Sequence, residues 1–233
     1  MPRLLGVLGG MGPLATADFL AKIVNATSAT RDQDHIPMVV WSVPQIPDRV
    51  PAIIGDGPSP LPAMLEGVRA LKGAGAEALA IACNTAHYWH QQLRDQGGLP
   101  ILHIADAAIT AARQRAPGAR VLGLLATDGT IAAGFYQQRF SEDGGGVVLP
   151  PAADQALLRR AIDQVKSGAL AVAAATAEPV ARRLLTSGAD LLIVGCTELP
   201  IALARAKADL RPHLIDATAA LAAACVAWSR GTD

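Results

Sequence analysis

The chain has 233 residues, of which 51% are hydrophobic, 17% charged and 3% aromatic. These numbers exclude a disordered chain and allow a large core of Ala, Leu, Val and Ile, in one big domain or two modest ones sharing a cleft. Lys plus Arg and Asp plus Glu number 20 each, so the net charge is zero and nothing in the composition attracts nucleic acid or an acidic membrane surface.

At the start of the chain, Arg3, the apolar run 4–8 and Ala15-Thr16-Ala17 imitate an export signal. Gly9-Gly10-Met11-Gly12-Pro13 breaks that run, so the segment reads as a strand, a glycine loop and a helix start. Further strands are expected over 38–42, 78–82, 101–103, 121–125, 147–149, 191–194 and 213–215. Apolar spacing of helical period predicts helices over 15–27, 61–71, 104–115, 154–165 and 172–185. Gly and Pro punctuate the joints at 58–60, 97–98, 117–118 and 144–146. The longest apolar stretches, 169–177 and 217–228, are Ala-rich helices too short to span a bilayer. Cys83, Cys196 and Cys225 are an odd set without an export signal, which points to reduced thiols in the cytoplasm. Apolar strands alternating with helices predict an α/β fold with parallel sheets covered on both faces.

The sequence also repeats itself. Residues 3–19 (RLLGVLGGMGPLATADF) align with 120–136 (RVLGLLATDGTIAAGFY), and 76–85 (AEALAIACNT) with 189–198 (ADLLIVGCTE). Similar composition makes any two βα units alike, but the second pair also shares a cysteine at the same place. An internal duplication predicts two pseudo-symmetric α/β domains with a cleft between them. The joint is expected at 97–100, giving 1–98 with a returning C-terminal helix (216–233) as one domain and 99–215 as the other.

Cys83-Asn84-Thr85 and Cys196-Thr197-Glu198 each follow a strand and precede a helical segment, 86–93 and 199–206. That is the carboxyl end of a strand in an α/β sheet, where ligands bind, and a helix start, which favours an anion and a thiolate. Asn84, Thr85 and Thr197 add neutral donors suited to a small carboxylate. Cys225, inside an Ala-rich helix, reads as an inert core thiol. Two thiols related by a repeat suit removal of a proton from one face of a carbon and its return to the other.

Other readings of the same residues compete. Gly10-Met11-Gly12-Pro13-Leu14-Ala15 fits a dinucleotide fingerprint, but the next strand ends in Ser-Val-Pro without an acidic residue for a ribose. Cys83, His87 and His90 could share a helical face as zinc ligands, though Tyr88-Trp89 suggest a packed surface helix. A single-cysteine hydrolase using Cys83 with His87 or His35 leaves Cys196 unexplained.

The segments LGGMGPLATADF (8–19), RDQDH (31–35), PQIPDR (44–49), CNTAH (83–87), LLATDGTI (124–131) and GCTELP (195–200) resemble the aspartate racemase branch of the Asp/Glu racemase superfamily. The resemblance spans nearly the whole chain. It implies two pseudo-symmetric α/β domains, an interdomain active site, a homodimer, and no metal, pyridoxal phosphate or other cofactor. It further implies that Cys83 and Cys196 are paired acid/base groups and that the turns CNT and CTE hold the substrate α-carboxylate. Met11 would floor the cleft and Gln45 would reach the substrate. Arg49 and Lys166 would hold a side-chain carboxylate from opposite domains, and Thr127 and Thr130 would be polar cleft residues. Ile162 departs from relatives that carry a tyrosine before the lysine. The implied activity is aspartate racemisation, with a glutamate or broad-range racemase and a non-catalytic amino-acid-binding protein as alternatives.

Overall fold

The computed structural model describes residues 2–142, 144–204 and 206–232. Its first sheet is built from β1 (Leu5–Gly9), β2 (Met38–Ser42), β3 (Ala78–Ile81) and β4 (Ile101–Leu102), all parallel, in the order β2-β1-β3-β4. The second is built from β5 (Val121–Ala126), β6 (Gly146–Val148), β7 (Leu191–Gly195) and β8 (Leu214–Asp216), again parallel, in the equivalent order β6-β5-β7-β8. Every strand lies within one residue of its expected bounds at each end.

The helices of the first half are α1 (Pro13–Ala26), α2 (Arg49–Ile54), α3 (Leu61–Gly73), α4 (His90–Gly97) and α5 (Ile104–Arg115). Those of the second half are α6 (Asp128–Ala133), α7 (Phe135–Ser141), α8 (Ala152–Lys166), α9 (Leu170–Thr186), α10 (Leu199–Leu203) and α11 (Ala217–Arg230). Among the described residues, no helix is long and apolar enough to cross a membrane.

Strand alternation divides the core in three. Leu5, Val7, Ala80 and Ala82 point to the same side as Leu122, Leu124, Leu191 and Ile193, and the two sheets share this central core with α1, α5, α7 and α11. Leu8, Leu79 and Ile81 face the other way, onto α3 and α4, in a core private to the first sheet. Leu125, Leu192 and Val194 do the same onto α8, α9 and α10. Strands buried on both faces explain why their sequences are continuous apolar runs.

The duplication extends to packing detail. A Cβ on Gly6 would lie 2.5 Å from Leu79 Cδ2, with Ala76 and Leu71 next nearest. On Gly123 it would lie 2.5 Å from Leu192 Cδ2, with Ala189 and Leu184 next. Gly6 aligns with Gly123, and Leu79 and Ala76 with Leu192 and Ala189, in the repeat read from sequence. Composition alone does not reproduce a matched pair of glycines under matched leucines.

The joint expected at 97–100 needs correction. β4 lies beyond it, yet it pairs with β3 in the first sheet, because Gly98 ends α4 in a left-handed turn that returns the chain to that sheet. Residues 101–102 therefore belong with the first sheet rather than with 99–215, and β8 reaches Asp216 within the second sheet. The terminal helix α11 packs against both α1 and α5, closing the seam between the halves.

Candidate active site

Four turns leave the carboxyl ends of the two central strand pairs: Gly10–Gly12 after β1, Cys83–Thr85 after β3, Thr127 after β5 and Cys196–Glu198 after β7. In both sheets the chain proceeds to opposite sides of the first strand, so the crevice opens at these ends. The glycine loop is set by close approach. Gly10 has φ +91°, and a Cβ there would lie 2.4 Å from the Val43 backbone nitrogen. Its N–H donates to Thr16 Oγ1, whose hydroxyl in turn donates to the Gly12 carbonyl, both at 2.9 Å.

The turns enclose one cavity of about 30 Å³, room for roughly a single water. Met11, Arg49, Cys83, Asn84, Thr85, Thr127, Lys166, Cys196 and Thr197 line it, as do Asp48, Val50, Ile162 and Glu198. Thr130 stands behind the wall: its hydroxyl is 3.0 Å from both Thr85 Oγ1 and Thr127 Oγ1, which are themselves 2.8 Å apart. This hydroxyl triangle ties the CNT turn of the first half to the start of α6 in the second. Gly129 permits the approach, since a Cβ there would lie 2.9 Å from Thr85 Cγ2. Gln45 is not brought in. It is exposed in the turn after β2 and does not line the cavity.

The two cysteines differ sharply in their surroundings. Cys83 and Cys196 are both buried and reduced. Cys196 Sγ donates to Glu198 Oε2 at 3.1 Å, and Thr197 Oγ1 donates to the same oxygen at 3.2 Å. Burial first, and then the Glu198 carboxylate, push the Cys196 thiol well above its ordinary range. The expected lean of this cysteine toward thiolate is thereby reversed. The helix that follows it, α10, is a five-residue segment, too short for its dipole to offset the loss of water. After Cys83 the chain forms a 3-10 turn, Thr85–Trp89, before α4, in place of a continuous helix from residue 86.

Behind Cys83, His87 is fully buried. Its Nδ1 donates to the Cys83 carbonyl at 2.8 Å, and its Nε2 accepts from the Ile104 N–H at 3.3 Å. A carbonyl cannot donate and an amide N–H cannot accept, so the ring is the neutral Nδ1–H tautomer. Burial accordingly pushes its pKa down to about 3. Both nitrogens are committed to backbone, so His87 can neither bind zinc nor act as base for the Cys83 thiol. Among the described residues, no group of three or more His, Cys, Asp or Glu is arranged to hold a metal. Cys225 lies in the central core, its thiol pushed up by burial alone.

The cations are held differently. Arg49 opens α2 behind its N-cap Asp48, and its guanidinium donates to the carbonyls of Ile46, Pro47 and Met11 at 3.0–3.3 Å. Lys166 ends α8 across the cavity and makes no hydrogen bond or ion pair with the described residues. The sequence places Glu198 in the CTE turn but gives it no contact with the thiol, and it does not single out Tyr136 at all. Glu198 could have been suspected, because a carboxylate wedged between an apolar strand and an apolar helix must be buried. Tyr136, whose hydroxyl donates to Asn84 Oδ1 at 2.6 Å, could not, because its partner is remote in the chain.

The profile of the Asp/Glu/Hydantoin racemase family matches residues 8–225. The chain belongs to that family. It is an isomerase of the amino-acid racemase type. The Picrophilus torridus aspartate racemase structure superposes with a TM-score of 0.84 at 30% identity, covering 98% of this chain and 94% of that one. The broad specificity amino-acid racemase RacX of Bacillus subtilis is 27% identical over 227 residues, 96% of each chain. A glutamate racemase from Persephonella marina is 27% identical over 168 residues, 68% of this chain and 60% of its own.

Proposed function

We propose that the protein interconverts L- and D-aspartate without a cofactor, by proton transfer between Cys83, the substrate Cα and Cys196. One observation carries this reading: two thiols from equivalent positions of a duplicated fold line a single small cavity together with a cation from each half. The likeness to the Picrophilus aspartate racemase, at 30% identity over 98% of the chain, supports aspartate as the substrate.

In the forward direction the Cys83 thiolate takes the Cα proton, breaking C–H and forming S–H. The electron pair flows into the α-carboxylate, where Asn84, Thr85 and Thr197 face the growing charge. Cys196, kept as a thiol by burial and by Glu198, delivers its proton to the opposite face of Cα. Cys83 is then the thiol and Cys196 the thiolate, which is the starting state of the reverse reaction; loss of the Cys83 proton to water and uptake of one from water by Cys196 restore the forward state. Lys166, without a partner among the described residues, receives the side-chain carboxylate, and Arg49 adds whichever donors its three backbone carbonyls leave free.

The test is incubation with L-aspartate in D₂O. D-aspartate and deuterium at Cα should appear without added pyridoxal phosphate, and no exchange on any amino acid would reject the racemase reading. A second reading, a broad amino-acid range, is favoured by apolar Ile162 in the lining and by the full-length likeness to RacX. A side-by-side substrate panel separates the two.

A further inference from the structure

Asn84 presents an anomaly. Its side chain is 2% exposed, its Oδ1 accepts the Tyr136 hydroxyl, and its Nδ2, although fully buried, has no hydrogen-bond partner among the described residues. A buried amide N–H₂ without an acceptor costs free energy that the folded chain does not recover. The residue lines the cleft, so the missing acceptor is one that comes with the substrate.

An amide can turn over and exchange oxygen for nitrogen, and something must hold it. Tyr136 sits on α7 of the second half and is itself 2% exposed. Burial pushes its phenol up, so the proton stays on and donation toward Asn84 is available at any working pH. A Cβ built on Gly195, the residue before Cys196, would lie 3.4 Å from Tyr136 Cε2. The ring thus runs beneath the cleft, from the strand end that carries one thiol to the side chain that follows the other.

We propose that Tyr136 is a positioning residue: its hydroxyl fixes the Asn84 carboxamide with oxygen inward, so that the N–H₂ is presented to the substrate α-carboxylate. The orientation comes from the second half and the donor from the first, so the donor is aimed only while the two halves are closed on each other. This rests on the racemase reading of the cleft.

The test is a double-mutant cycle of Tyr136→Phe and Asn84→Ala, with kcat/KM measured from both enantiomers. Phe keeps the ring against Gly195 and removes only the hydroxyl. Tyr136→Phe should lower kcat/KM by about tenfold to a hundredfold, equally for L- and D-substrate, since both carry the same carboxylate. In the Asn84→Ala background it should cost nothing further, because its effect passes through the amide. The pH profile should keep its shape, since neither thiol is touched. Asn84→Asp, which Tyr136 would still hold, should be worse than Asn84→Ala, because an oxygen then faces the carboxylate.

Wild-type kcat/KM in Tyr136→Phe, losses that simply add in the double mutant, or a displaced pH profile would overturn the assignment. If the wild type turned over no amino acid, the racemase reading would fail on its own. The same cycle read by calorimetric binding of L-aspartate would then decide the role of Tyr136, and absence of binding would sink it as well.

Discussion

The turns Cys83-Asn84-Thr85 and Cys196-Thr197-Glu198 occupy equivalent places, after β3 and after β7, yet their chemistry differs at every position but the first. The first turn is held by neutral groups: His87 on the Cys83 carbonyl, Tyr136 on Asn84, and the Thr127 and Thr130 hydroxyls on Thr85. In the second, the place of Thr85 is taken by Glu198, whose carboxylate accepts directly from the Cys196 thiol. Duplication supplies two thiols lining one cavity; divergence at the third place of the turn gives them different surroundings. A symmetric pair would share one set of surroundings, whereas here Cys196 has a carboxylate at its thiol, which together with burial pushes it up.

The largest effect should come from the thiols themselves. Cys83→Ser and Cys196→Ser should each cut racemisation by about 10²–10⁴-fold, as expected for removal of a proton-transfer group. Cys225→Ser should leave it unchanged, since that thiol is packed in the central core. Activity in Cys196→Ser alongside loss in Cys225→Ser would break the comparison outright.

Next come the cations. Lys166→Met should raise the apparent KM for aspartate by roughly 10- to 150-fold, the value of a charge-assisted hydrogen bond, and leave alanine, if turned over, nearly unaffected. Arg49→Met should weaken aspartate binding too. It should also lower the melting temperature, because the carbonyls of Ile46, Pro47 and Met11 lose their donor. Equal damage to aspartate and alanine would mean that these residues close the cleft and do not read the side chain.

The turns can also be sharpened by titration. In a chain whose only remaining thiol is Cys196, Glu198→Gln should move thiolate formation, read by ultraviolet absorbance, to lower pH. The carboxylate raises this thiol both through its charge and by accepting the S–H bond, so a neutral amide relieves it. Burial acts first and remains, so the thiol should still titrate above an ordinary cysteine. No movement, or movement upward, would remove Glu198 from the account.

The smallest effect tests the duplication. Gly6→Ala and Gly123→Ala should each destabilise by about 1–3 kcal/mol through overpacking against Leu79 or Leu192, with turnover of the remaining folded protein intact. Thermal unfolding reads this as a matched pair of losses. One tolerated and one destabilising substitution would show that the halves pack differently.

The central strands are legible because burial on both faces leaves unbroken apolar runs, and the cysteine turns are legible because they end such runs. The joint was misplaced because β4 is only Ile101–Leu102, too short to show its sheet, and Gly98 reads as a linker when it is a helix cap. The helix α2 was missed because Pro47 and Pro51 look like a turn. The structure uses Asp48 as its N-cap and places Pro51 in the first turn, where a proline N–H is not needed. Gln45 carried only a family expectation, and no hydrogen bond draws it inward. The Tyr136–Asn84 pair depends on how the two halves meet, which no local pattern encodes.

Deuterium wash-in on the two serine variants tests the central claim most directly. Each enantiomer is incubated separately with Cys83→Ser and with Cys196→Ser in D₂O, and solvent deuterium at Cα is followed before any inversion. If the thiols serve opposite faces of one carbon, the variants should show opposite preferences, one exchanging residually into the L-enantiomer and the other into the D-enantiomer. Identical preference in both variants, or undiminished racemisation in either, would contradict a mechanism of two thiols on two faces.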